Sequence, residues 1–209
     1  MAVERAQGLS AGAASWCKST LGVWGRSGSR IVPLRRGGLA MRDVHSSGVP
    51  QALAVPFGLV EDAFRRLEKR LEGMSEEEFH FKAPDNVNST AMLLRHLVLV
   101  DMTYLHLIMG DSERVPEIRG KYGPFQDENG RIPEAQGATL SGLLGEYREL
   151  MDTARRYISG LSDEDAERAV VVPWWPEPAT VRYMLWHMAG HSCHHQGQIA
   201  RLRAAYRQR

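Results

Sequence analysis

Cysteine, long apolar runs and net charge are all scarce in this sequence of 209 residues, and each scarcity excludes a class of protein. With only Cys17 and Cys193, the chain has neither a disulfide framework nor a CxxC zinc site, and a reducing, cytoplasmic location is favoured. No apolar run approaches the roughly 18 residues of a membrane span, so we expect no membrane association. A net charge of +1 argues against nucleic acid as a partner.

The first 40 residues differ in composition from the rest of the chain. They hold six Lys or Arg against one acid, together with 7 of the 20 glycines, and they show no periodic apolar pattern. Such a segment cannot bury enough apolar surface to offset its ordering entropy, so we predict a disordered extension over residues 1–50. Three origins stay open: a targeting peptide, a flexible arm, or an over-extended start with Met41 as the true first residue. The over-extended start is the favoured interpretation.

Helical periodicity dominates residues 51–209, which we predict to form a single all-α domain. Apolar residues recur at spacings of three and four from residue 51 to Leu71, and Asn88 or Ser89, Thr139 and Thr180 are placed to cap three further helices. About residues 111–138 separate the second helix from the third, which is long for a connection within a bundle. The pattern therefore predicts a four-helix bundle with one long crossover between helices 2 and 3, and no strand.

Half of the eight histidines lie within nine residues of the last helix, at positions 187, 191, 194 and 195. On a helical wheel that starts at Val181, His195 falls at about 320° and His191 at about 280°, inside and at the edge of the apolar stripe. Both rings are therefore expected to face the bundle interior, one turn apart, which is HxxxH metal-binding geometry. Because HExxH is absent, a metalloprotease would lack its general base.

Two histidines are too few for a stable metal site, so another helix must supply a ligand. His96, on the flank of the second helix, is the best candidate, and His106 is also conceivable. His45 and His80 lie outside the long helices and are weaker candidates. The competing interpretation is that these histidines are ordinary buried or surface residues. Two imidazoles side by side in a core need partners for four ring nitrogens, which favours a shared cation.

Two motifs in this chain resemble the DinB-like (YfiT-like) family of metal-dependent bundle proteins. One is the run from Ser89 to Leu97 in the second helix, which ends in His-Leu; the other is the run from Leu185 to Ile199, with the pattern His-x-x-His-His-x-Gly-Gln. The resemblance spans about residues 51–206. It implies a four-helix bundle with a crossover, in which His96, His191 and His195 hold one metal ion, most often zinc or nickel. It also implies a homodimer.

Known relatives include transferases and isomerases that use low-molecular-weight thiols such as mycothiol or bacillithiol. The resemblance therefore implies a thiol S-transferase that acts on small electrophiles, with a small-molecule substrate and a thiol as cofactor. Three protein ligands leave an open position, so a metal there would lower the pKa of a bound thiol or water. Two alternatives remain: a non-catalytic, metal- or ligand-binding bundle with a stress role, and a metal-dependent hydrolase.

Other polar and aromatic residues near these histidines have two interpretations each. Asp101 either orients an imidazole or is a solvated or capping carboxylate. Gln198, beside His191 on the wheel, either hydrogen-bonds within the site or is a surface amide. His187 and His194 are expected to be non-ligands, with one of them available as an acid or base. Trp174 and Trp175 either wall a pocket or form ordinary hydrophobic cover.

Overall fold

The computed structural model describes residues 43–84 and 86–209, so the predictions for residues 1–42 lie outside the described part of the chain. The six α-helices of the described residues are α1 to α6, and two short β-strands precede the last helix. The bounds are α1 Gln51–Leu71, α2 Glu76–His80, α3 Thr90–Met109, α4 Val115–Tyr122, α5 Leu140–Ser159, β1 Ala169–Val170, β2 Ala179–Thr180 and α6 Val181–Tyr206.

The four long helices α1, α3, α5 and α6 form the predicted all-α bundle. Helix α1 packs against α5 and α6, and α3 packs against the same two helices. By length and composition, α3 is the one helix of the described residues that could cross a membrane, but 83% of that segment is buried inside the bundle. Helix α3 is therefore the central element of the core. A helix that is apolar on nearly all sides is expected to be buried in this way.

Local sequence signals place the helix ends. Ser89, Thr139 and Thr180 each cap a helix by accepting a hydrogen bond from a backbone amide three residues later. Ser75 caps the short helix α2 in the same way, through Glu78. Gly110 ends α3 in the left-handed conformation, with a φ of 78°, which glycine adopts without steric cost.

The crossover from α3 to α5 contains helical structure that the sequence pattern did not predict. It contains a 3-10 turn, Ser112–Arg114, followed by α4. The Arg95 guanidinium donates to the carbonyl oxygens of Tyr122 and Pro133, which ties this segment to α3. Helix α4 was missed because it has only eight residues and includes Gly120, which lowers the helix propensity of so short a segment.

Two other differences from prediction concern short segments. Residues 169–170 and 179–180 pair as an antiparallel ribbon, although no strand was predicted; two residues per strand are too few to give an alternating pattern. Residues 43–50, included in the predicted disordered extension, pack on the bundle: the Ser46 amide donates to the Ala54 carbonyl at 2.9 Å. Arg155 of α5 donates to the Ser46 hydroxyl at 3.0 Å.

Candidate metal centre

Helices α3 and α6 bring three histidines to one point in the bundle. His191 and His195 lie one turn apart on α6, and His96 lies in the second turn of α3. The Nε2 atom of His191 is 3.2 Å from Nε2 of His96 and 3.0 Å from Nε2 of His195. Candidate ligand nitrogens of all three residues lie within 4.8 Å of one another. The structure thus brings together the three residues that the sequence selected.

The donor set of this cluster, which we call the His triad (His96, His191 and His195), suits a metal ion. Zinc–imidazole bonds of about 2.0–2.1 Å in a tetrahedral site place ligand nitrogens roughly 3.3 Å apart, close to the distances observed. His96 and His195 are both 7% exposed, and His191 is partly buried. The Nδ1 atom of His191 is buried and has no hydrogen-bond partner among the described residues. Three imidazoles in this arrangement could hold one divalent metal ion.

Burial keeps the triad imidazoles neutral. Burial, with lesser contributions from His195 and Arg95, lowers the pKa of His96 to about 4. Burial and the neighbouring histidines lower the pKa of His191 to about 2. Burial also lowers the pKa of His195, although its hydrogen bond with Gln198 opposes the shift. At neutral pH the three imidazole rings are therefore neutral, which is the protonation state in which imidazole binds a metal.

Gln198 determines which nitrogen of His195 carries the proton. The Gln198 amide nitrogen lies 3.3 Å from Nε2 of His194, and its Oε1 lies 2.8 Å from Nδ1 of His195. Because Oε1 only accepts hydrogen bonds, Nδ1 of His195 is the donor. Nε2 of the neutral ring therefore keeps its lone pair, which is free to bind a metal together with the other two triad Nε2 atoms. The interpretation of Gln198 as a hydrogen-bonding residue of the site therefore agrees with the structure.

We expect Gln198→Ala to weaken divalent metal binding by roughly 10- to 100-fold, because His195 would lose the partner that fixes its tautomer and ring orientation. The measurement is a competition titration of the metal-free protein with zinc and a chromophoric chelator. Gln208→Ala, an amide-to-alanine change at the exposed end of the chain, is the control and should leave the affinity unchanged. Equal affinities for wild type and Gln198→Ala would contradict this role.

The remaining histidines do not join the His triad. His187 is half-buried one turn before His191, with ring centroids 6.3 Å apart, and the Tyr104 hydroxyl lies 3.5 Å from its Nε2. His194 is exposed. His106 pairs with Asp111 at the end of α3, with 3.1 Å between Nδ1 and Oδ2. The side chain of His80 reaches the carbonyl of Ala138 at 3.0 Å.

Asp101 has neither of the roles that the sequence offered. Its side chain is 1% exposed and accepts a hydrogen bond from the Tyr147 hydroxyl of α5, and it has no hydrogen bond to an imidazole among the described residues. Ser192 of α6 hydrogen-bonds to the same hydroxyl. Gln196 then donates to Ser192 at 3.1 Å and to the Ala63 carbonyl of α1 at 2.8 Å. This buried network joins all four long helices, directly beside the two α6 histidines of the triad.

Asp101 also makes folding stability depend on pH. Burial raises its pKa to about 7, although the Tyr147 hydrogen bond opposes the shift. Between about pH 4 and 7 the folded state keeps the proton and the unfolded state loses it, so this group's stabilisation is present at low pH and is lost as pH rises. We expect wild type to lose on the order of 1.4 kcal/mol per pH unit relative to Asp101→Asn in this window. Urea unfolding of both proteins at several pH values measures the free energy of unfolding of each. If that free energy changed with pH equally in wild type and in Asp101→Asn, the prediction would be contradicted.

Aromatic side chains surround His187, one turn before the triad on α6. Trp175 contacts Tyr104, Tyr183 and His187, with its ring centroid 5.0 Å from that of His187. Trp174 stacks on Tyr104 and is 43% exposed. The two tryptophans therefore pack around Tyr104, and Trp175 also contacts His187, one turn of α6 before the triad. The contributions of Tyr104 and Tyr183 were missed because single aromatic residues at helical spacing look the same as core residues.

The fold and the site define a class of protein: an all-α bundle in which histidines from two helices could hold one metal ion. A family model described as mycothiol-S-transferase matches residues 55–208. The uncharacterized protein YkkA of Bacillus subtilis (strain 168) is 30% identical over 155 residues, which make up 73% of this chain and 86% of that protein. The chain belongs to the mycothiol-S-transferase family, which confirms the resemblance to DinB-like bundles seen in the sequence.

Proposed function

We propose that this protein is a metal-dependent thiol S-transferase that joins a low-molecular-weight thiol of the mycothiol type to a small electrophile. His96, His191 and His195 are its proposed metal ligands, with zinc or nickel as the metal. The observation that carries the proposal is the convergence of three neutral Nε2 atoms, 3.0 and 3.2 Å from one to the next, in a member of the mycothiol-S-transferase family. The exposed, unpaired Cys193 favours a reducing, cytoplasmic location.

A divalent metal held by His96, His191 and His195 would keep its full charge, because all three ligands are neutral, and would supply a Lewis acid that favours the thiolate form of a substrate thiol. The residues around the proposed metal position have separate roles. His96 and His195 are each only 7% exposed, so little solvent contacts these two rings. Gln198 holds His195 in the metal-binding tautomer. We infer that His187, one turn before His191 and made neutral by burial, accepts the proton that the thiol loses.

The test is a transfer assay with metal-loaded protein, mycothiol and monobromobimane as the electrophile. We expect formation of the bimane thioether to require the metal and to be lost in His195→Ala. His106→Ala, a histidine outside the triad, should keep the activity. Metal-bound protein without transfer would favour the non-catalytic binding bundle over a transferase. Cleavage of an ester substrate in the absence of any thiol would favour the hydrolase.

A further inference from the structure

The crossover between α3 and α5 is fastened to α3 at the residue that precedes His96. This residue, Arg95, donates from its guanidinium to the carbonyl oxygen of Tyr122 and, at 2.9 Å, to that of Pro133. The guanidinium is half-buried, and its Nη1 atom would lie 3.1 Å from a Cβ atom at Gly123, so glycine at this position leaves room for the contact. Arg95 therefore holds two points of the crossover, 27 and 38 residues further along the chain, against α3.

Phe125 brings the crossover up to the His triad. Its backbone carbonyl lies beside the His96 ring, where it opposes the lowering of that ring's pKa by burial. Its side chain has two contacts: the Trp174 ring, with 5.2 Å between centroids, and the Arg119 guanidinium, which lies 5.5 Å from the Phe125 centroid. The position of the Phe125 carbonyl is therefore fixed by contacts of its own ring and by the Arg95 hydrogen bond three residues earlier.

The tautomer of His96 depends on the partner of its Nδ1 atom. Nε2 of this ring faces Nε2 of His191 at 3.2 Å, so Nδ1 is the nitrogen that a group outside the triad can contact. Nδ1 is buried and makes no hydrogen bond of standard geometry with the described residues. A buried N–H group without an acceptor is costly, and a backbone carbonyl is a strong acceptor. The Phe125 carbonyl, beside the ring, is the acceptor that the crossover supplies.

We propose that Arg95 is a positioning residue for the His triad: it holds the crossover so that the Phe125 carbonyl accepts a hydrogen bond from Nδ1–H of His96. The Nε2 lone pair of His96 is then free to bind a metal. Gln198 fixes the same tautomer in His195 through a side chain, so groups outside the triad set two of its three rings. This assignment rests on the proposed function, because it takes the triad as a metal site. It adds the crossover to the parts of the chain that build that site.

The direct test is the tautomer of His96 in the metal-free full chain, measured on isotope-labelled protein by long-range proton–nitrogen correlation spectroscopy. We expect wild type to carry the ring proton on Nδ1, and we expect the Nε2-protonated form to appear in Arg95→Ala. A competition titration with zinc should then give an affinity roughly 10- to 100-fold lower for Arg95→Ala than for wild type. Circular dichroism checks that the variant is folded.

Arg155→Ala is the matched control, because Arg155 likewise fastens a segment to the bundle, through Ser46 and the Ser47 carbonyl, and these contacts include no triad residue. It should lose stability but keep the wild-type tautomer and zinc affinity. The assignment is overturned by an Nε2-protonated His96 in wild type, by an unchanged tautomer or affinity in Arg95→Ala, or by an equal loss of affinity in Arg155→Ala. The first outcome needs no variant, so it applies even if Arg95→Ala does not fold. If all results are as expected while thiol transfer is absent, the positioning role stands and the proposed reaction fails.

Discussion

Alanine in place of His96, His191 or His195 is expected to lower divalent metal affinity by more than about 100-fold, because loss of an outer partner alone costs 10- to 100-fold and these changes remove a ligand itself. Each Nε2 atom is one proposed metal ligand. The Nε2 atoms of His96 and His191 are 3.2 Å apart, and those of His191 and His195 are 3.0 Å apart. Two imidazoles do not complete a stable site. The measurement is metal content of the purified proteins, followed by zinc and nickel competition titrations.

Two histidine variants serve as matched controls. His106→Ala changes a residue of the same helix as His96, and His194→Ala changes an exposed neighbour of His195. Both should bind about one equivalent of metal, which is the content expected of wild type. The triad variants should keep wild-type helix content by circular dichroism, since they remove neutral side chains rather than paired charges. Equal metal content in wild type and all three triad variants would contradict the proposed ligand set.

Gly58→Ala is expected to destabilise the protein by about 1–3 kcal/mol, through overpacking of a buried contact between α1 and the segment before it. A Cβ atom at position 58 would lie 1.4 Å from the Val44 carbonyl oxygen and 3.0 Å from the Ser46 amide nitrogen. Neither backbone group can yield without moving residues 44–46 away from the helix. That movement would also break the hydrogen bonds that Arg155 donates to Ser46 and Ser47.

Gly145→Ala is the matched control, since Gly145 lies inside α5 and an added Cβ would have nothing within 4 Å. Glycine costs a helix interior roughly 0.5–1 kcal/mol relative to alanine, so this substitution should stabilise the protein. Urea unfolding of wild type and both variants measures the free energy of unfolding, which should fall in Gly58→Ala and rise in Gly145→Ala. If Gly58→Ala were as stable as wild type, the packing of residues 44–46 against α1 would not contribute to stability.

Local and periodic features were predictable because each depends on a few neighbouring residues. Ser89, Thr139 and Thr180 cap helices in the structure as in the sequence, since an N-cap needs only its own side chain and an amide three residues on. The inward face of α6 was equally predictable, because a stripe repeating every 3.6 residues fixes which side of a helix is buried. His191 and His195 were therefore found together from the sequence.

Contacts between distant segments were decided by the tertiary structure. Arg95 reaches Tyr122 and Pro133 across the crossover, and nothing in the local pattern around Arg95 indicates these partners. The sequence allowed Asp101 either to orient an imidazole or to be a solvated or capping carboxylate, but it pairs with Tyr147, 46 residues later on another helix. Short elements such as β1 and β2 form only because the chain brings residues 169–170 and 179–180 side by side.

The sequence by itself determined four long helices, their caps, the face of α6 that turns inward and, with the family resemblance, the three histidines. Only the tertiary structure decided that Nε2 is the nitrogen each triad ring presents, that Gln198 sets the tautomer of His195, and that Asp101 pairs with Tyr147. Helix formation depends on neighbours within about one turn, whereas ring orientation and side-chain pairing depend on packing between helices far apart in the chain.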